Sequence, residues 1–195
     1  MRAYKDFIIS PIGERYNNSK KLGDKELILN TEIFNHQYIN RLAKVIATPL
    51  LFSSPINVGD EVIVHHNVFR RWHDIKGRER NSRSYLDDNN YLISEDQIYL
   101  YKRKNWIAMP GFSFIKPIKQ NNKFSLENEQ DLIGIVKYSD GSFNNGELVG
   151  FRPKIGCEDF IDGERLYRVM NKFITIKYEY QGNEEEYNPS WTQSG

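Results

Sequence analysis

Apolar residues in this chain come in short runs, each cut off by a proline, a glycine or a polar stretch. None follows the 3.6-residue period of an amphipathic helix. Residues 7–12, FIISPI, read as a strand stopped at Pro11. Residues 42–48, LAKVIAT, resume a strand that Pro49 stops. Gly59-Asp60 reads as a turn leading into an alternating strand over 61–66. Residues 91–102, YLISEDQIYLYK, read as two strand pieces with a polar break at Ser94-Glu95-Asp96. Between the first two strands lies a polar stretch, Gly13 to Asn40, far longer than the usual connection of about 4–6 residues. Inside it sits one aliphatic triplet, Leu27-Ile28-Leu29. Loops of this length are functional or disordered.

The second half repeats this order. FSFIKPI (112–118) again ends at a proline, LIGIVKY (132–138) matches LAKVIAT, and GELVGF (146–151) matches the Gly59-Asp60 turn and its strand. RLYRVMNKFITIKY (165–178) matches the closing segment, with Tyr167 on Tyr91 and Ile174 on Ile98. The pattern predicts a tandem repeat joined near 103–111. Short strands with turn signals argue for an all-β fold, and units this small protect their edges best as closed or nearly closed barrels. The predicted organisation is a first barrel over 1–104 with a mobile loop at 13–40, a second, divergent barrel over 105–180, and a flexible tail over 181–195.

Composition narrows the chemistry. The 27 basic residues balance 26 acidic ones to +1, which gives no support for a duplex-binding protein. Cys157 is the only cysteine, which excludes an intrachain disulfide and a cysteine-rich zinc site. No apolar stretch approaches the roughly 18 residues that span a bilayer, and the first 15 residues lack the apolar core of a signal peptide, so a cytoplasmic location is expected. No nucleophile elbow, phosphate-binding glycine loop or paired-histidine zinc motif is present, and no pair of carboxylates stands out. No catalytic residue, metal or cofactor is expected.

The order of elements resembles the GroES-like co-chaperonins. The residues that carry the likeness are Ile8-Ile9-Ser10-Pro11, Leu27-Ile28-Leu29, Ala43-Lys44-Val45-Ile46, Val58-Gly59-Asp60-Glu61-Val62 and Leu92-Ile93-Ser94-Glu95-Asp96-Gln97-Ile98. The likeness implies two tandem GroES-like β-barrels. It further implies a homo-oligomer, a seven-membered ring, that caps a group I chaperonin of the GroEL type and helps enclose an unfolded client. Each mobile loop would lay its triplet, here Leu27, Ile28 and Leu29, in an apolar groove of the chaperonin. PLLFSSPIN (49–57) leaves little room for the roof hairpin of bacterial members, and in this the chain resembles phage-encoded members, which would act in the host cytoplasm on a capsid protein. The tandem arrangement resembles plastid members. Here, however, the second loop, KQNNKFSLENEQD (119–131), lacks an aliphatic triplet, so one docking loop per chain is expected.

Two other constellations compete. His65-His66 with His73 and Asp74 suggest a metal site, but adjacent strand histidines point to opposite faces and do not readily share one ion. Residues 69–83, FRRWHDIKGRERNSR, mix cations with Phe69 and Trp72, as single-strand-binding barrels do. A solvated loop with a docked tryptophan is the preferred reading there. Nucleic acid is therefore the alternative partner, and a virion structural role the third reading.

Overall fold

The structure, a computed structural model, describes residues 2–16, 19–22, 25–28, 39–120, 129–153, 157–179 and 184–187; of these, 19–22, 26–28 and 157–160 are described by backbone alone. The described residues are all-β, with two single-turn 3-10 segments and no α-helix. The chain divides into two compact units, Met1–Trp106 and Ile107–Gly195.

In the first unit the chain runs through β1 (Phe7–Pro11), β2 (Ser19–Leu22), β3 (Lys25–Ile28), β4 (Leu42–Ala47), β5 (Glu61–Val64), β6 (Arg71–His73), β7 (Glu79–Asn81), β8 (Tyr85–Asp87), β9 (Asn90–Ile93) and β10 (Ile98–Lys102), and β11 (Trp106–Ala108) starts at its last residue. Seven of these strands form one sheet in the order β11-β10-β5-β4-β1-β9-β8. β4 alternates as its sequence predicts: Ala43, Val45 and Ala47 are buried, while Lys44 and Ile46 face out. The core gathers Phe7, Ile9, Val45, Val62, Phe69, Tyr91 and Leu100, each at most 1% exposed.

The second unit contains β12 (Phe112–Lys119), β13 (Glu129–Ser139), β14 (Leu148–Phe151), β15 (Cys157–Ile161), β16 (Glu164–Met170) and β17 (Ile174–Tyr178), in the sheet order β15-β16-β12-β13-β14-β17. Its core is Ile115, Val136, Val149, Phe151 and Val169.

The two sheets share one plan. Reversed, the second order matches β10-β5-β4-β1-β9-β8 strand for strand. The registers agree as well. Ile9 faces Val45 on one side and Tyr91 on the other, as Ile115 faces Val136 and Tyr167. The bulge between Ile8 and Ile9 recurs between Phe114 and Ile115. Ile98 opposite Val64 recurs as Ile174 opposite Phe151. Gly59 and Gly146 take φ near 90°, which favours glycine, and each donates its N–H to the matching valine carbonyl, Val45 or Val136, at 2.8 Å. The repeat read along the sequence is thus a repeat of strand order, register and turn.

Other expectations are corrected. Neither strand order closes on itself, so both sheets are open, not closed barrels. The strand expected over 61–66 ends at Val64, because His65 and His66 enter a turn in which the Val68 N–H reaches the His65 carbonyl at 3.0 Å. β12 continues past Pro117, whose missing N–H is tolerated beside a register irregularity. β15 was not anticipated; it pairs with β16 through a tight turn at Asp162-Gly163, both at positive φ. In the segment expected to be a flexible tail, residues 184–187 lie along the end of β12. Lys119 N–H donates to the Glu185 carbonyl and Tyr187 N–H to the Pro117 carbonyl, both at 2.8 Å. The buried Lys116 ammonium sits 3.2 Å from Glu164 and 3.7 Å from Glu186.

Asp140 ties the start of β12 to the end of β16. Its carboxylate accepts the Gly111 N–H at 2.7 Å, the Ser142 N–H at 2.9 Å and the Asn171 side-chain amide at 3.0 Å. Partial burial pushes this carboxyl up, but the donors from Gly111, Ser142 and Asn171 together outweigh it and hold the group below its ordinary value. A carboxyl depressed in the folded state adds stability that is complete above its unfolded pKa, about 3.9, and lost as pH falls through the folded value. The urea midpoint of the second unit is expected to fall as pH drops below about 4, and Asp140→Asn to flatten that dependence. Equal slopes for the two proteins between pH 6 and 3 would show that this carboxylate does not contribute.

Candidate functional site

The long polar segment 13–40 leaves the first sheet where β1 ends and returns where β4 begins. Its base is built from buried parts. Tyr16 and Ile39 are 7% and 4% exposed and bridge each other in antiparallel fashion. Asn40, 6% exposed, clasps both sides. Its side-chain amide donates to the Ile12 carbonyl at 2.7 Å and to the Glu14 carbonyl at 2.9 Å, and its Oδ1 accepts the Leu42 N–H at 2.9 Å. Its backbone N–H donates to the Arg15 carbonyl at 3.0 Å. The side-chain amide, its oxygen and the backbone N–H of this buried asparagine thus all have partners.

Beyond that base, β2 and β3 pair with each other antiparallel, with Leu27 opposite Lys20 and Ile28 opposite Ser19. The two strands form a sheet of their own, separate from the seven-stranded one. Leu27 and Ile28 are therefore not members of the core sheet, although they lie on a strand. Leu29, the third residue of the triplet, lies outside the described residues, as do 17–18, 23–24 and 30–38. In the second unit, 121–128 of the shorter loop likewise lies outside them.

The segment expected to be a solvated loop, 69–83, contains a β-hairpin instead. Arg71, Trp72 and His73 face Asn81, Arg80 and Glu79. Its strands carry charges where core strands carry aliphatics, and an ion pair at 3.2 Å joins Arg71 to Glu79. The turn is organised by Asp74. Its Oδ1 accepts the N–H groups of Lys76 at 2.9 Å and Arg78 at 3.0 Å, and its Oδ2 accepts Arg80 Nε at 3.0 Å. The Arg78 and Lys76 amides and the Arg80 guanidinium keep the Asp74 carboxyl below its ordinary value. Gly77 supplies the positive φ that the turn needs, and Ile75 at the tip is fully exposed.

This hairpin is fastened to the base of the long segment. Arg15 donates to Asn81 Oδ1 at 2.8 Å and to the Phe69 carbonyl at 3.0 Å. Its guanidinium carbon lies 5.5 Å from the centroid of the Tyr91 ring and 5.9 Å from that of Tyr85. Tyr16 Oη accepts the Arg71 N–H at 2.7 Å, and the Arg71 guanidinium lies over the Tyr16 ring at 4.8 Å. Burial pushes the Tyr91 phenol up, so it stays protonated beneath the arginine. The matching tyrosine of the second unit, Tyr167, instead bonds Glu129 and Arg165.

The histidines do not meet their expected geometry. Because His65 and His66 lie in a turn and not along a strand, their rings stack at 4.2 Å instead of pointing apart. His65 Nδ1 accepts the Asn67 N–H at 3.0 Å, and His73 stands on β6 opposite Glu79. Among the described residues no group of three or more His, Cys, Asp or Glu side chains is placed to hold a metal. An open cleft beside β14 and β17 is lined by Gly146, Glu147, Leu148, Lys177 and Tyr178, where Lys177 and Glu147 pair at 2.8 Å. It brings together no nucleophile and base. No helix among the described residues is long and apolar enough to cross a membrane. Among family models and curated proteins, nothing matches this chain.

Proposed function

We propose that this chain is a GroES-like co-chaperonin that caps a group I chaperonin ring through residues 13–40 and helps enclose a folding client. The observation that carries the reading is the separate β2–β3 hairpin, which holds Leu27 and Ile28 off the core sheet on a clasped base. Leu27, Ile28 and Leu29 are the docking residues.

The energetics favour several weak contacts over one strong one. Burying an aliphatic side chain contributes about 1.5–3 kcal/mol, while fixing a loop residue costs about 1–2 kcal/mol. One loop alone therefore binds weakly. The β2–β3 pairing lowers the ordering cost, because part of the backbone is already fixed. Seven loops on one ring convert weak contacts into useful avidity while permitting release. The second unit repeats the sheet without the aliphatic triplet, so it enlarges the dome and does not dock. ATP chemistry belongs to the partner. The short 49–57 connection fits a phage-encoded version, acting in the host cytoplasm on a capsid protein.

Co-sedimentation with a GroEL-type chaperonin in ATP tests the reading. The wild-type chain is expected to travel with the chaperonin, and the combined Leu27→Ser, Ile28→Ser, Leu29→Ser variant to lose at least about tenfold in affinity. Equal behaviour of the two proteins would overturn the docking role. The same run gives the mass of the free assembly, and a ring of any number other than seven would overturn the stoichiometry.

A further inference from the structure

We propose that the β6–β7 hairpin is a second docking arm, which meets an acidic protein surface beside the triplet's groove and seats Ile75 in an apolar pocket there. The proposal rests on the co-chaperonin reading and names a further contact with the same partner.

The hairpin is an addition to the repeated plan. In the first unit 20 residues, 65–84, separate β5 from β8; in the second, only 152–156 separate the matching β14 and β15. The aliphatic triplet is also confined to the first unit. The two features that break the repeat are joined to each other. Arg15 and Tyr16, at the base of the loop, hold Asn81, the Phe69 carbonyl and the Arg71 backbone. A hairpin fixed to the root of a docking loop presents a constant surface next to whatever the loop engages.

The chemistry of that surface selects the partner. Lys76, Arg78, Arg80 and Arg83 are all exposed, and the acidic residues of the hairpin, Asp74 and Glu79, are already paired with Arg80 and Arg71. The exposed excess is cationic, which suits an acidic surface and speeds encounter with one. Ile75 gives nothing to the fold, since its side chain is fully exposed, and hairpin tips ordinarily carry Gly, Asn or Asp. An aliphatic side chain held outward at the end of a rigid arm suits an apolar pocket. It does not suit single-stranded nucleic acid, because an isoleucine neither stacks on bases nor donates to phosphate. Trp72, the largest ring of the hairpin, is half-buried on β6.

The test uses the full chain and a GroEL-type chaperonin in ATP, with affinity measured at low and moderate salt. Ile75→Ser is expected to weaken binding about tenfold at both salts, as the loss of one buried aliphatic side chain would. The combined Lys76→Glu, Arg78→Glu, Arg83→Glu variant is expected to weaken it mainly at low salt, where surface charges are least screened. All four positions are exposed, so unchanged melting curves are expected and serve as the folding control. If these variants bind like wild type while the Leu27/Ile28/Leu29 variant does not, the second arm is overturned and the loop reading stands. If the wild type does not bind at all, both fall. If the charge variant loses salt-sensitive binding to single-stranded DNA with chaperonin affinity unchanged, the arm is a nucleic-acid contact and the proposal is wrong.

Discussion

Replacing Asn40 by alanine is expected to destabilise the first unit by about 3 kcal/mol, a large share of the roughly 5–15 kcal/mol that holds a domain together. The substitution removes three hydrogen bonds at once. It leaves the Ile12 and Glu14 carbonyls and the Leu42 N–H without their partner at a position where Asn40 itself is 6% exposed. A buried group stripped of its partner costs about 1–3 kcal/mol, and part of that is recovered where water reaches the carbonyls. Asn40→Asp is the sharper variant. It keeps the volume and the acceptor toward Leu42 but turns the two donors into an oxygen facing two carbonyl oxygens, so it is expected to cost at least as much as alanine. Urea unfolding followed by tryptophan fluorescence measures both. The loss should fall on the first unit, with amide exchange in β1 and β4 accelerated and exchange in β12 and β13 unchanged. Variants within about 0.5 kcal/mol of wild type would show that the clasp does not hold the base. The same variants bear on docking. An unclasped base lets the hairpin of β2 and β3 swing free, so chaperonin affinity should fall although Leu27, Ile28 and Leu29 are intact.

That clasp was not legible in the sequence, and the reason is physical. Asn40 acts on residues 25 or more positions away, and no local pattern marks an asparagine as a long-range brace. Features set by local geometry were legible. Pro11 and Pro49 bracket their strands, Gly59-Asp60 marks its turn, and Ser94-Glu95-Asp96 marks the break between β9 and β10. The repeat was legible because these local signals recur in order. The β6–β7 hairpin was missed because its strands are held by Arg71–Glu79 pairing and by the Asp74 turn, not by an apolar face, so its alternation is one of charges. Asp74 three residues before Gly77 was the signal available for it, and Asp162-Gly163 was the one for β15. The tail was read as loose from its run of glutamates, yet Glu185 and Glu186 meet Lys119 and Lys116 on β12. Closure was misjudged because a sequence reports how long strands are, not whether the first and last of a sheet meet.

The repeat also sets up a substitution whose cost depends on which copy receives it. Matching the registers places Gly134 where the first unit has Ala43: Ala43 faces Pro11 and Val62, and Gly134 faces Pro117 and Val149. Ala43 fits its site fully buried. A methyl group at Gly134 would lie 2.4 Å from the Lys116 carbonyl oxygen and 2.6 Å from Ile115 Cγ2. The nearest atom is backbone of the neighbouring strand, so no side chain can swing aside, and β12 and β13 must separate. The glycine is there because the strands approach closely, not because of its φ. Gly134→Ala is therefore expected to cost about 3 kcal/mol, at the upper end of ordinary overpacking, despite the gain in chain stiffness that alanine brings. Ala43→Gly is expected to cost only about 1 kcal/mol, from added backbone freedom and one lost methyl group. Calorimetry on the two variants reads the contrast directly. The first should lower the transition of the second unit, and the second should slightly lower that of the first. If alanine at 134 is as harmless as glycine at 43, the close approach of β12 to β13 is wrong, and with it the tight packing of Ile115 that organises the second core.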